Sequence, residues 1–139
     1  MKFIDQLKEK AKQNKKTIVL PETSDMRTIE AAGKVLAEGI ANIILVGDKE
    51  DIMSRAGDID LSGASFVDPK NYEKFDEYVD AFVEMRRKKG MTEARAKELL
   101  LTNPLYFGCM MVKQDDADGM VSGAVHTTGD LLRPGLQII

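Results

Sequence analysis

TIVLPETSDMRTIEAAGKVLAEGIANIILVGD, residues 17–48, settles the fold class. Residues 17–20 are a β-branched and apolar run that Pro21 stops, the pattern of a short strand. Thr23, Ser24 and Asp25 then offer helix caps, and Ile29, Ala32, Val35 and Leu36 recur at helical spacing. Gly39 stands where a helix C-cap is needed. Residues 43–46, Ile-Ile-Leu-Val, form a second strand that is apolar without alternation, which predicts burial on both faces. Strand, amphipathic helix, strand within 32 residues is a βαβ unit, so the chain is read as α/β, a parallel sheet flanked by helices.

The same rhythm continues downstream. Asp48 is placed to cap a short helix through Ile52, Met53 and Ala56, ended by Gly57. Residues 64–67 suit a third, weaker strand before Asp68-Pro69. Phe75, Tyr78, Val79, Phe82 and Val83 give the cleanest helical spacing in the chain, ending near Gly90. Thr92 caps a further helix, and Asn103-Pro104 reads as cap and first turn of the next, where proline is favoured. Met120 and Val121 are read as a buried fourth strand. Upstream, Phe3, Ile4, Leu7 and Ala11 share one face of a helix over residues 3–13, expected to pack that face on the domain.

Residues 118–139, DGMVSGAVHTTGDLLRPGLQII, carry the chemistry. A strand leads into the small residues Ser122, Gly123 and Ala124, then His126, Thr127 and Thr128, then a helix containing Arg133. Such a turn aims unpaired backbone N–H groups at an anion, and a guanidinium further along the helix can grip the same phosphate. A helix N-terminus contributes about 0.3–1 kcal/mol when exposed. Charge-assisted hydrogen bonds add roughly 1.5–3 kcal/mol each. Phosphate is therefore expected to be held weakly, near the ~4 kcal/mol of millimolar affinity. Pro134 either kinks this last helix or marks its start.

This stretch resembles the signature of the phosphate acetyltransferase family, enzymes that interconvert acetyl-CoA plus phosphate with acetyl phosphate plus CoA. Residues 17–32 (TIVLPETSDMRTIEAA), 41–48 (ANIILVGD) and 103–111 (NPLYFGCMM) resemble the family's N-terminal region in the same order. The resemblance implies one N-terminal domain of a two-domain acyltransferase, a homodimer when complete, whose second domain closes the cleft and supplies an aspartate base. It implies thiolate attack on the acyl carbonyl, with Arg133 neutralising phosphoryl or carbonyl oxygen. Ser122, Gly123, Thr127, Thr128 and Arg133 would bind substrate. His126, read from its position alone, either hydrogen-bonds the leaving phosphate or orients a neighbour and is not assigned as the base, a loop histidine held by backbone hydrogen bonds being the alternative. Arg86, supported by Arg87, would contact a CoA phosphate; read without the resemblance, the run Arg86-Arg87-Lys88-Lys89 is a solvated helix end. CoA enters as a substrate and no cofactor is implied. A butyryl-transferring relative, a nicotinamide-dependent decarboxylating dehydrogenase and a non-catalytic anion-binding domain are the alternatives.

Composition narrows the partners. The chain has 139 residues, a net charge of −3, 43% hydrophobic residues, one cysteine and one histidine. That charge gives no general basic surface for nucleic acid or anionic membrane. No apolar run approaches a membrane span, and the N-terminus lacks the apolar core of a signal peptide, so a cytoplasmic protein is expected. A single cysteine forms no intrachain disulfide, and a single histidine argues against zinc; no metal is expected. Cys109, among apolar neighbours, reads as a core residue. Asp25 is expected to cap a helix with Arg27 pairing beside it, and Glu22 sits on the same turn. Neither a Walker glycine-lysine motif nor GxGxxG occurs.

Overall fold

A computed structural model describes residues 2–139. The elements in chain order are α1 (Phe3–Gln13), β1 (Thr17–Leu20), α2 (Met26–Glu38), β2 (Asn42–Val46), α3 (Lys49–Ala56), β3 (Ser65–Val67), α4 (Phe75–Arg86), α5 (Glu93–Thr102), α6 (Pro104–Lys113), β4 (Gly119–Met120) and α7 (Thr128–Ile138). Short 3-10 turns occupy Pro69–Asn71 and Arg87–Lys89. The sheet is parallel with order β3-β2-β1-β4. The α/β architecture expected from residues 17–48 is the one observed.

Strand parity divides the core into two layers, because successive side chains of a strand point to opposite faces. Val19, Ile44 and Val46 face a cluster with Tyr78, Phe82, Leu100, Phe107 and Met110 from α4, α5 and α6. Leu20, Ile43 and Leu45 face Ile29, Ala32, Ile52 and Leu61 on the other side. The unbroken apolar run of β2 is thus buried on both faces. Cap residues act where the sequence placed them: Asp25, Asp48, Thr92 and Asn103 each accept a backbone N–H at a helix start. Gly39 ends α2 in the left-handed region at φ 67°. Asp116 accepts from Tyr78 and, at 2.6 Å, from Lys74, tying α4 to the turn that enters β4.

Two expectations are corrected. The fourth strand pairs at Gly119 and Met120 rather than at 120–121, and Val121, 61% exposed, is not a buried strand residue. The reason is position: β4 is an edge strand with a neighbour only on the β1 side. The second correction concerns α1, which buries none of its residues; Phe3 is 74% exposed, Ile4 54% and Leu7 45%. Its side-chain tie to the domain is the Lys8–Glu38 ion pair at 2.7 Å. Exposed apolar side chains contribute little, so Phe3→Ser and Leu7→Ser are each expected to shift unfolding free energy by less than about 0.5 kcal/mol. A denaturant titration showing a loss of several times that would place this face in a core after all.

Pro134 lies inside α7 and is buried, so it neither starts the helix nor ends it. No helix among the described residues is long and apolar enough to cross a membrane.

Candidate active site at the β1–β4 crevice

The chain moves from β1 outward through β2 to β3, then returns to lay β4 on the other side of β1. β1 and β4 therefore flank the topological switch point, where ligands of open α/β sheets bind beyond the strand carboxyl ends. Two segments meet there: the turn after β1 and the loop 121–127. Glu22 joins them. Its side chain is buried, and it accepts the backbone N–H of Gly123 at 2.5 Å and of Ala124 at 3.0 Å on Oε1. Oε2 accepts the N–H of Val125 at 2.9 Å and of His126 at 2.9 Å, and lies 2.8 Å from His126 Nδ1.

Gly123 makes this convergence possible. Its φ of 121° is open to glycine and strained for other residues, and it turns successive N–H groups toward one point. Burial alone would raise the Glu22 carboxyl. The hydrogen bonds from the His126 ring and from the N–H groups of His126, Val125 and Gly123 overcome it and hold the group at about 2, far below the ordinary 4.5. Arg27 braces the loop from the side, donating to Asp25 at 2.7 Å and to the Ala124 carbonyl at 2.6 Å. Asp25 is itself held down at about 2, chiefly by the Arg27 side chain and its N–H. Asp25 as cap and Arg27 as its local partner match the sequence reading.

The geometry revises what the loop can offer. Four of its N–H groups, expected to face an external anion, are already bonded to the protein's own carboxylate. Thr127 caps α7 through a box with Asp130, at 3.2 Å and 3.3 Å. The Thr128 side chain is exposed at the first helical position. The Ser122 hydroxyl oxygen is buried and has no hydrogen-bond partner, and it lines a small concavity with Glu22, Arg27 and Thr28. His126 rests on Glu22 with its side chain 27% exposed and is not among the residues that line this concavity.

Arg133 is elsewhere. It lines a second concavity of about 310 Å³ with Arg86, Lys89, Met91, Arg95, Tyr106 and Gln137. The sequence reading that grouped Arg133 with Ser122, Thr127 and Thr128 is therefore replaced by one that groups it with Arg86. Helical geometry explains the separation: about 7.5 Å of rise lies between Thr128 and Arg133. No acidic side chain lines this concavity. Arg86 Nε is buried without a partner, and Tyr106 donates to Gln137 Oε1 at 3.1 Å. Arg87, expected beside Arg86, pairs instead with Glu84 at 2.7 Å and does not line the pocket. Lys89, named in the sequence only as part of a solvated helix end, is a member too, as is Arg95, which the sequence did not single out and which pairs with Glu98 at 3.2 Å.

Cys109 is buried, and burial pushes its thiol up to about 11, which suits a core residue and not a nucleophile. Among the described residues no group of three or more His, Cys, Asp or Glu side chains is placed to hold a metal ion.

A doubly covered parallel sheet with a crevice at its switch point, and a cluster of cations on the neighbouring helices, defines the chain as an α/β domain of the open-sheet kind. The chain belongs to the phosphate acetyl/butaryl transferase family, whose model matches residues 2–139. It is 52% identical, over all 139 residues, to a phosphate acetyltransferase of Thermoanaerobacterium thermosaccharolyticum, covering 42% of that protein. It is 42% identical to the phosphate acetyltransferase of Escherichia coli, covering 99% of this chain and 19% of that one. Among solved structures, EutD phosphotransacetylase from Staphylococcus aureus matches with a TM-score of 0.86 and 42% identity over 98% of this chain and 41% of that one. A phosphotransacetylase from Streptococcus pyogenes matches with a TM-score of 0.89 and 37% identity, over 100% of this chain and 43% of that one. The chain thus spans less than half the length of these relatives.

Proposed function

We propose that this domain supplies the CoA-phosphate and acyl-phosphate contacts of a phosphate acetyltransferase, transferring acetyl between CoA and phosphate. The observation that carries the reading is the cation concavity. Arg86, Lys89 and Arg133 line it with no carboxylate among the lining residues, Arg95 joins them while pairing with Glu98 at 3.2 Å, and Arg86 has a buried Nε awaiting an acceptor. CoA brings several negative phosphate charges to one end of a long, flexible molecule, and a planar guanidinium matches phosphate oxygens with paired hydrogen bonds. The names of the relatives support acetyl as the group transferred.

In this reading CoA's phosphates occupy the cation concavity and its thiol end runs along α7 toward the crevice. The thiolate attacks the acetyl carbonyl, the C–O bond to phosphate breaks, and inorganic phosphate leaves. Ser122, Thr127 and Thr128 border the phosphate, and His126 reaches it from the crevice. Since Glu22 fills the amide cluster of loop 121–127, phosphate is held at the loop's outer side rather than inside it. CoA is a substrate, no metal or prosthetic group takes part, and the working protein is a cytoplasmic homodimer.

The assay is direct. Acetyl phosphate and CoA are mixed with the protein and thioester absorbance is followed. A protein of the relatives' length is expected to turn over at ordinary enzymatic rates, on the order of 1–1000 per second. The 139-residue chain alone is expected to show negligible turnover. Rapid turnover by the short chain, or none by the long one, would overturn the reading.

A further inference from the structure

His126 is held from behind by a carboxylate with no room for another donor. Glu22 is 3% exposed and takes four backbone N–H groups at 2.5–3.0 Å, with His126 Nδ1 2.8 Å from Oε2. A carboxylate bonded to so many donors stays ionised, and an ionised carboxylate can only accept. Nδ1 must therefore carry a hydrogen whatever the state of the rest of the ring. In the neutral ring the lone pair then resides on Nε2, which makes no bond to protein among the described residues. This arrangement is the opposite of the tautomer that the ring of free histidine favours in water, with its hydrogen on Nε2.

We infer that Glu22 is a positioning residue, fixing His126 as the Nδ1–H form so that its unbonded Nε2 serves as the proton acceptor for phosphate. The inference rests on the proposed transferase reading and adds to it a proton path. When acetyl phosphate forms, an oxygen of hydrogen phosphate attacks the thioester carbonyl and its proton passes to Nε2. The C–S bond breaks and the thiolate leaves. In the opposite direction the imidazolium returns a proton to the phosphate oxygen as the C–O bond breaks and the C–S bond forms. The thiol has by then released its own proton to the base expected in the second domain, which passes it to solvent, and the ring is recharged from solvent, so protons balance over the cycle. Glu22, in hydrogen-bond contact, compensates the positive charge that the ring acquires. A buried carboxylate used only to shape the loop would need no histidine on it.

The chain contains a single histidine, so every imidazole nitrogen signal of the labelled protein belongs to His126. Nitrogen NMR of the neutral ring is expected to show hydrogen on Nδ1 and an unprotonated Nε2. Glu22→Gln is expected to move the population toward the Nε2–H form. In a protein of the relatives' length it should lower kcat roughly 10–100-fold while leaving KM for CoA within about twofold. A native spectrum with hydrogen on Nε2, or with the two forms averaging, overturns the inference, and so does an unchanged kcat in the variant. If Glu22→Gln does not fold, the native spectrum still decides. Absence of all transferase activity in the native long protein would sink the proposed function while the spectrum still reported on the Glu22–His126 pair.

Discussion

Glu22→Gln is expected to lower the unfolding free energy of this domain by roughly 3 kcal/mol at neutral pH and to flatten its response to acid. The size follows from the carboxyl's descent from 4.5 to about 2 on folding. The sign follows from the same shift. A group held below its unfolded value stabilises the fold fully above that value, here about 4.5, and the contribution is lost as pH falls toward 2. Glutamine keeps the shape but replaces one acceptor oxygen by a donor, which then faces N–H groups it cannot satisfy. Denaturant titrations at neutral pH and at several points down to about pH 2 provide the check. The native and variant curves should converge as acid protonates Glu22. Curves that stay parallel across this window would mean that the carboxylate does not hold loop 121–127.

Arg133→Ala and Arg86→Ala are each expected to weaken CoA by roughly 10–100-fold, from the 1.5–3 kcal/mol of a charge-assisted hydrogen bond. Arg87→Ala should change it by less than about twofold, because that side chain pairs with Glu84 outside the concavity. The contrast between neighbours distinguishes a built phosphate site from a general effect of positive charge. Added salt should weaken CoA in the native protein, since these cations remain open to solvent. The readout is KM for CoA in a protein of the relatives' length. Equal effects at Arg86 and Arg87 would contradict the geometry.

The fold was legible because its signals are local. An apolar run without alternation reports burial on two faces, and caps such as Asp25 and Asn103 report helix starts through their own backbone. The failures are those of non-local facts. Nothing in Phe3, Ile4 and Leu7 states whether another surface lies opposite them, so a helical apolar stripe was read as core. Val121 was read as buried because a strand's text does not say that it lies at a sheet edge.

The site was half legible for the same reason. Arg86 and Arg133 were both singled out, but their company depends on how α7 packs across α6 and α4, which spacing along the chain does not contain. Glu22 was read as a turn residue first and as a cleft-lining one second. Its role requires that β4 lie beside β1, bringing residue 22 to residues 123–126 across 101 or more positions. A carboxylate placed directly after the first strand's terminating proline was the available signal. It becomes decisive only once the strand order is known.

The proposed reading stands or falls with the concavity of Arg86, Lys89, Arg95 and Arg133 as a CoA-phosphate site. Titrating the labelled 139-residue chain with CoA and following its backbone amide NMR signals tests this most directly. A saturable response is expected, centred on residues 86–91, 95, 133 and 137, lost on adding salt and absent in Arg133→Ala. A response centred elsewhere, or none at millimolar CoA (~4 kcal/mol), would contradict it.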